Sequence, residues 1–414
     1  MDFNDSPQDA AFRKEARAWL DENVPTYLEP HLAKSGFGNT NTGPYDAMEE
    51  SKKWQKKKAE AGWACLHWPK EYGGRGATPI ERVIWGQEEG AYSALSGLFI
   101  IGHGMCGPTV MTYAGAEHKE RLLPKLASGE EIWCQLFSEP ASGSDLAGLR
   151  TKAEKDGDDW IINGQKIWTS GAQHSDYGIL ITRTDPTVAK HKGLTMFFLD
   201  MKSPGVEVRP IKQVNGQSGF NEVYFTDVRI PDNQRLGEVG AGWQSSLTTL
   251  MNERLSIGSG MPTGFPEMFE YARKLETPDG PAIKDKSVRS KLAEWHIRTS
   301  GLKYSAARSI SALSRGETPG PESSIGKLVA GSTLQDIAQF AMDLQGLTGV
   351  LLDPEQAEES ARFQAMLLRS PATRIEGGTD EILRNIIAER VLGLPGDVRV
   401  DKSVPFNEIP TGNK

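Results

Sequence analysis

Trp160-Ile161-Ile162-Asn163-Gly164-Gln165-Lys166-Ile167-Trp168 lies near the middle of the chain, where the spacing of apolar residues changes period. An Asn-Gly pair between two runs of β-branched and aromatic residues predicts a β-hairpin, because both residues tolerate the positive φ of a two-residue turn. Further strands are expected at Tyr177–Thr182, Leu194–Leu199, Val206–Ile211 and Glu222–Ile230, placing a β domain over 133–238.

On either side of that domain the period is helical. Ser6-Pro7-Gln8-Asp9 has the marks of a helix start, with a hydroxyl cap, a proline at the first helical position and an acid in the first turn. Phe12, Ala16, Trp19 and Leu20 then fall on one face, and helical patterns follow over 46–62, 78–93, 95–115 and 116–128, which defines an all-α domain at 1–132. After Gly237, Gly240 and Gly242 the helical period returns near 241–274, 286–315, 323–345, 354–368 and 379–392, the pattern of a helical bundle over 239–396. The tail, 397–414, has little periodicity and is expected to be a loose arm or a partner-wrapping extension. This α–β–α order fits neither a doubly wound sheet nor a sandwich, so the fold class is α+β with segregated domains.

Composition narrows the function. With 38 % apolar and 25 % charged residues, the 414-residue chain has the balance of an ordinary soluble protein of two to four domains. Its 47 Lys and Arg against 55 Asp and Glu give a net charge of −8, which argues against a nucleic-acid-binding surface. No uncharged stretch reaches the roughly 18 residues of a membrane span, and the N-terminus lacks an apolar leader, so a cytoplasmic location is expected. Three separated cysteines, Cys65, Cys106 and Cys134, argue for a reducing compartment, and the seven histidines show no metal-ligating spacing, so no metal is expected.

The stretch Gln135-Leu136-Phe137-Ser138-Glu139-Pro140-Ala141-Ser142-Gly143-Ser144-Asp145-Leu146-Ala147-Gly148-Leu149, with Trp168-Thr169-Ser170-Gly171-Ala172 further on, is the most informative chemically. Small and hydroxyl-bearing residues permit close backbone approach and offer donors to a flat, anionic ligand, while Trp168 can cover one face of a ring system. The same residues also suit a Ser/Gly loop beside a core tryptophan, and by themselves they leave both readings open.

Together with Trp68-Pro69-Lys70-Glu71-Tyr72-Gly73-Gly74, Ser138-Glu139-Pro140 through Asp145, Asn163 through Trp168, Leu236-Gly237 through Trp243, and Gly378-Thr379-Asp380-Glu381-Ile382 through Arg390, the chain resembles the acyl-CoA dehydrogenase family along nearly its whole length. The resemblance implies an N-terminal helical domain, a middle β-barrel-like domain and a C-terminal four-helix bundle. It also implies FAD, bound by Gln135, Phe137, Ser138, Gly143, Ser144, Trp168, Thr169 and Ser170. Gln345, Gly346, Thr379 and Glu381 would reach the FAD of a neighbouring subunit in a homotetramer or dimer. In the family's reaction a carboxylate removes the α-proton of an acyl-CoA while the β-hydride passes to flavin, and the electrons go on to an electron-transferring flavoprotein. Ser144 and Arg254 would contact the substrate.

Two departures from the family pattern matter. Many members carry the base as a glutamate directly before a single Gly-Thr; in Arg374-Ile375-Glu376-Gly377-Gly378-Thr379 the position falls on Gly377, with Glu376 displaced by one residue. A second family position, a glutamate before an arginine on the first bundle helix, is matched by Glu253 in Met251-Asn252-Glu253-Arg254-Leu255, which makes Glu253 the first candidate and Glu376 the second. The Glu253-type base favours branched, bulky or medium-to-long acyl chains. Leu275 stands where the family places an arginine that grips a neighbour's FAD, with Arg273 or Lys274 as substitutes. An oxygen-using acyl-CoA oxidase and a partner-completing subunit of a hetero-oligomer are the alternatives.

Overall fold

Helix α1 (Pro7–Asn23) starts where its cap residues stand, the Asp9 amide donating to Ser6 Oγ at 3.2 Å. In the computed structural model residues 5–35, 40–257, 262–315, 317 and 320–410 are described, without the side chains of 254–257, 313 and 314. After α2 (Glu29–Leu32), helix α3 (Ala47–Glu60) is capped by Asp46 and α4 (Pro79–Glu88) by a reciprocal Thr78–Glu81 box. Phe12, Ala16 and Leu20 of α1 join Trp54, Trp63 and Trp85 in one apolar cluster, as the sequence spacing implied. Helices α5 (Gly107–Tyr113) and α6 (Ala116–Ser128) follow.

The β domain has strands β1 (Trp133–Leu136), β2 (Lys152–Asp156), β3 (Asp159–Ser170), β4 (Tyr177–Arg183), β5 (Leu194–Asp200), β6 (Val206–Ile211) and β7 (Phe220–Pro231). They form two ribbons. In one, β4 lies between parallel β1 and antiparallel β5; in the other, β2, β3, β7 and β6 run antiparallel in that order. A single residue pair, Lys152 with Arg183, joins them. Trp160, Ile162, Leu180, Phe197, Val223 and Val228 fill one core, while Trp133, Ile179 and Phe198 pack with Leu122, Leu126 and Trp68 of the helical segment in another.

The hairpin expected at Asn163-Gly164 is not there. The β2–β3 turn is at Gly157-Asp158, where Gly157 takes φ +61° and Asp156 pairs with Asp159. Asn163 and Gly164 sit inside the continuous β3, at a register shift against β7. The Asn163 amide exchanges hydrogen bonds with Asp227 of 2.9 Å (Nδ2 to Oδ1) and 3.0 Å (Asp227 amide to Oδ1), so turn-forming residues have been recruited to an irregularity between strands. Gly164 is required for a steric reason, since a Cβ there would lie 2.7 Å from Thr151 Cα.

Two compact units divide the chain. One contains Ala11–Ser256 and residues 397–410; the other contains Ile257–Gly396 with residues 5–10, each as far as it is described. Helix α7 (Gly242–Ile257), expected to open the bundle, therefore groups up to Ser256 with the helical and β segments. Trp243 and Leu250 pack against their shared core, and Thr249 and Thr248 hydrogen-bond Thr109 (2.8 Å) and Tyr113 (2.9 Å). In the other unit α8 (Phe265–Lys274), α9 (Lys286–Ser314), α11 (Arg362–Thr373) and α12 (Asp380–Ile386) all pack against α10 (Ser323–Gln345). The helix expected from 354 starts only at Arg362, because Asp353-Pro354 forms a turn in which the Ala357 amide donates to Asp353 O at 2.8 Å. No single helix among the described residues is long and apolar enough to cross a membrane.

The tail is not a loose arm. The Phe406 and Asn407 amides donate to the carbonyls of Val188 and Pro186, each at 2.9 Å, and Pro405 bridges to Ala189. The Phe406 ring lies 3.6 Å from the Arg183 guanidinium carbon, a stacking contact that the weak periodicity of the segment did not announce.

Gly164→Ala is expected to cost about 1–3 kcal/mol, since either Thr151 or the strand must move. Urea unfolding checks this; an unchanged midpoint would mean that β3 relaxes freely.

Candidate active site

A buried ion pair organises the Ser/Gly loop. Glu139 is 6 % exposed and Lys166 is fully buried, with Lys166 Nζ 2.8 Å from Glu139 Oε1 and 3.0 Å from the carbonyl of Phe137. The amides of Arg150 and Thr151 donate to the same carboxylate at 2.6 and 2.9 Å. Both ends of the 139–151 excursion are thus tied to one side chain. Burial works to raise the Glu139 carboxyl, but the Lys166 charge and the hydrogen bonds outweigh it and hold the group below its ordinary value. The alternation of β3 contained the signal, because Ile162 and Lys166 fall on the same inward face and a lysine there needs a buried anion.

Immediately after Lys166 the strand bulges. Between Lys166 and Thr169 the β3–β7 register shifts by one residue, and Trp168 adopts φ +58° and is 56 % exposed. A left-handed backbone at a bulky residue costs roughly 1–2 kcal/mol, and a large apolar ring turned to solvent adds to that, so the strain points to a ligand-facing role. The Ile167 amide donates to the Ser138 carbonyl at 2.9 Å, which brings Ser138 beside the turned-out tryptophan.

The other expected contacts divide by direction. Gly143 and Ser144 are exposed on the loop, Gln135 and Ser138 are half-buried, and Ser170 is half-buried beyond the bulge. Phe137 and Thr169 point inward, at 4 % and 1 % exposed: the Phe137 carbonyl is taken by Lys166, that of Thr169 accepts from Asn221 Nδ2 at 2.9 Å, and Thr169 Oγ1 is buried with no hydrogen-bond partner among the described residues. Hydroxyls and an amide in the same loop and strand as an exposed indole suit a flat ring system with polar edges.

Glu253 lies on α7 and is half-buried; the side chain of Arg254, the expected substrate contact, lies outside the described residues. In the second unit Glu376 follows α11, and both its oxygens accept from Arg369 at 2.6 and 2.8 Å. Gly377 and Gly378 next to it take φ +62° and +101°, so the inserted glycine is absorbed in a left-handed turn before α12. Thr379 caps α12 by accepting from the Ile382 amide at 3.2 Å, and Glu381 is exposed in its first turn. Gln345, buried at the end of α10, accepts from Gln364 at 2.8 Å, and Gly346 follows at φ +57°. Arg273, the substitute for the arginine replaced by Leu275, is exposed and paired with Glu270 at 3.0 Å.

Comparison with known proteins agrees with this layout. The acyl-CoA dehydrogenase N-terminal, middle and C-terminal domain models match residues 6–130, 134–228 and 240–392. An acyl-CoA dehydrogenase of Mycolicibacterium smegmatis, IpdE1, is 36 % identical over 94 % of this chain and 98 % of its own. Among solved structures, the ChsE4-ChsE5 complex of Mycobacterium tuberculosis matches with a TM-score of 0.80 and 29 % identity, covering 96 % of this chain and 100 % of that one. The Tcur3481-Tcur3483 steroid ACAD matches with a TM-score of 0.79 and 28 % identity over the same shares. The chain belongs to the acyl-CoA dehydrogenase family, an enzyme family whose cofactor is FAD.

Two outcomes test the site. Trp168→Gly should leave the apoprotein at least as stable while FAD retention falls about tenfold, the sign of strain held for a ligand, whereas Thr169→Val should leave retention unchanged; equilibrium dialysis with FAD measures both. Glu139→Gln strands the Lys166 charge and should cost about 3–5 kcal/mol at pH 7. Because the folded carboxyl titrates below its unfolded value, its contribution is present above the ordinary carboxyl range and lost as pH falls through the folded value. The stability gap between wild type and Glu139→Gln should therefore narrow from pH 6 toward pH 3 in urea melts.

Proposed function

We propose that this acyl-CoA dehydrogenase oxidises a bulky acyl-CoA to its trans-2-enoyl-CoA, with Glu253 as the base and an electron-transferring flavoprotein as the electron acceptor. When bound, FAD supplies the hydride-accepting ring. Trp168 and Ser138 present an aromatic face and polar groups to that ring; Ser144 and Arg254 hold the thioester and CoA end; Glu253 takes the α-proton at a carboxylate oxygen.

The match of Glu253-Arg254 to the family's second base position carries the choice of base, and the anchoring of Glu376 is consistent with it. Both Glu376 oxygens are engaged within their own unit, which suits an anchor for the turn ahead of α12 better than a proton acceptor. Glu253 stands at the end of a helix whose first turns are fixed by Trp243, Thr248 and Thr249. The bulky substrate is supported by the kinship with an enzyme described as a steroid ACAD.

Anaerobic titration of the holoenzyme with a panel of acyl-CoAs, followed by flavin absorbance, tests the reading. Glu253→Gln should lower the rate of flavin reduction by at least about a thousandfold with FAD retained, and Glu376→Gln by no more than about tenfold. Equal rates for Glu253→Gln and wild type would overturn the assignment. Hydrogen peroxide formation in air would indicate an oxidase.

A second reading is favoured by the related ChsE4-ChsE5 complex, by the paired name of the Tcur3481-Tcur3483 steroid ACAD and by Leu275 and Gly377 at family functional positions: the chain assembles with a second, related chain that completes its sites. Co-expression with such a chain and counting of flavins per subunit separates this from a homotetramer or dimer.

A further inference from the structure

Lys190 is 7 % exposed and sits between two segments far apart in sequence. Its Nζ lies 2.8 and 2.9 Å from the two oxygens of Asp145, and 2.5 Å from Asp401 Oδ2. Asp145 ends the Ser/Gly loop directly after Ser144, and Asp401 belongs to the tail. Arg183 repeats the arrangement. Its guanidinium and Nε donate to the carbonyls of Ala147 (2.5 Å), Leu149 (3.1 Å) and Lys190 (3.0 Å), and its face is covered by Phe406 of the tail. Two cations and two carboxylates balance in charge, and each cation has the loop on one side and the tail on the other.

Around Asp145 itself the loop's other hydrogen bonds are local. Ser142 Oγ donates to the Asp145 carbonyl and the Gly148 amide donates to the same carbonyl at 2.8 Å, both local contacts. Glu139 anchors the two ends of the excursion and pairs its main chain with Ser142 at 2.9 and 3.0 Å, so Gly143 and Ser144 are held on the near side by Ser142 and on the far side by Asp145. The tail in turn is registered by its backbone pairing with 186–189, so Asp401 reaches Lys190 from a held position.

We propose that residues 397–410 are a strap that sets the position of the Ser144 segment, and that Lys190 and Asp401 are positioning residues for acyl-CoA binding. The inference rests on the reading of Ser144 as a substrate contact. Neither residue touches the reacting atoms; they act by limiting where the loop presents its hydroxyl and amides, and so affect capture of the thioester more than proton or hydride transfer.

The test uses the full-length holoenzyme and the variants Asp401→Asn, Lys190→Met and Lys190→Arg. Compared at matched FAD occupancy, Asp401→Asn and Lys190→Met should raise KM for acyl-CoA about tenfold with kcat within about twofold. Lys190→Arg should recover most of the loss, and the double variant should be no worse than the poorer single one, because both remove the same tie. Hydrogen–deuterium exchange of 142–149 should speed up in Asp401→Asn while β1 and β4 stay protected. Unchanged KM, or unchanged exchange at 142–149, overturns the strap. If no acyl-CoA reduces the wild-type flavin, the substrate reading fails by itself, and exchange at 142–149 still decides whether the tail holds the loop.

Discussion

The buried contact between Lys166 and Glu139 is the constraint on which the middle of the molecule depends. A charged pair removed from water gains little net stability, but losing either partner leaves a bare charge in the core. The pair therefore acts as a fixed point. It closes the loop from Phe137 to Thr151 and fixes the depth of β3, and directly after it the strand bulges and Trp168 turns outward. Polar satisfaction inside the sheet and exposure of an aromatic ring thus meet in one short stretch of β3.

Much of this was legible in the sequence. Helix starts at Ser6 and Thr379 are set by local chemistry, a hydroxyl accepting from an amide three residues on, and strands such as Val206–Ile211 follow from a run of β-forming residues bounded by turns. The layout of helices around a β domain was legible for the same reason, since period survives tertiary packing. Asn163-Gly164 misled because its preference for unusual backbone angles serves a strand irregularity as well as a turn, and only the partner strand, through Asp227, decides between them. The true turn at Gly157 carried the same kind of signal in a less apolar setting.

The candidate site was legible in type and less so in direction. Small residues and hydroxyls named the loop, but sequence spacing could not show that Phe137 and Thr169 face inward while Ser138 and Trp168 do not, because the bulge resets the alternation. Nor could it show that Glu376 is occupied by Arg369, a residue seven positions earlier on the preceding helix. The docking of Phe406 on Arg183 was the least visible feature, since it joins residues more than two hundred positions apart.

The outward Trp168 makes the protein its own optical probe. Of the ten tryptophans, Trp168 alone is exposed, Trp19 and Trp243 are half-buried, and the other seven are buried. Light emitted at the long-wavelength edge of the indole spectrum therefore comes mainly from one position at the mouth of the candidate site. Events there can be followed without a label, against a background that changes only when the fold itself does.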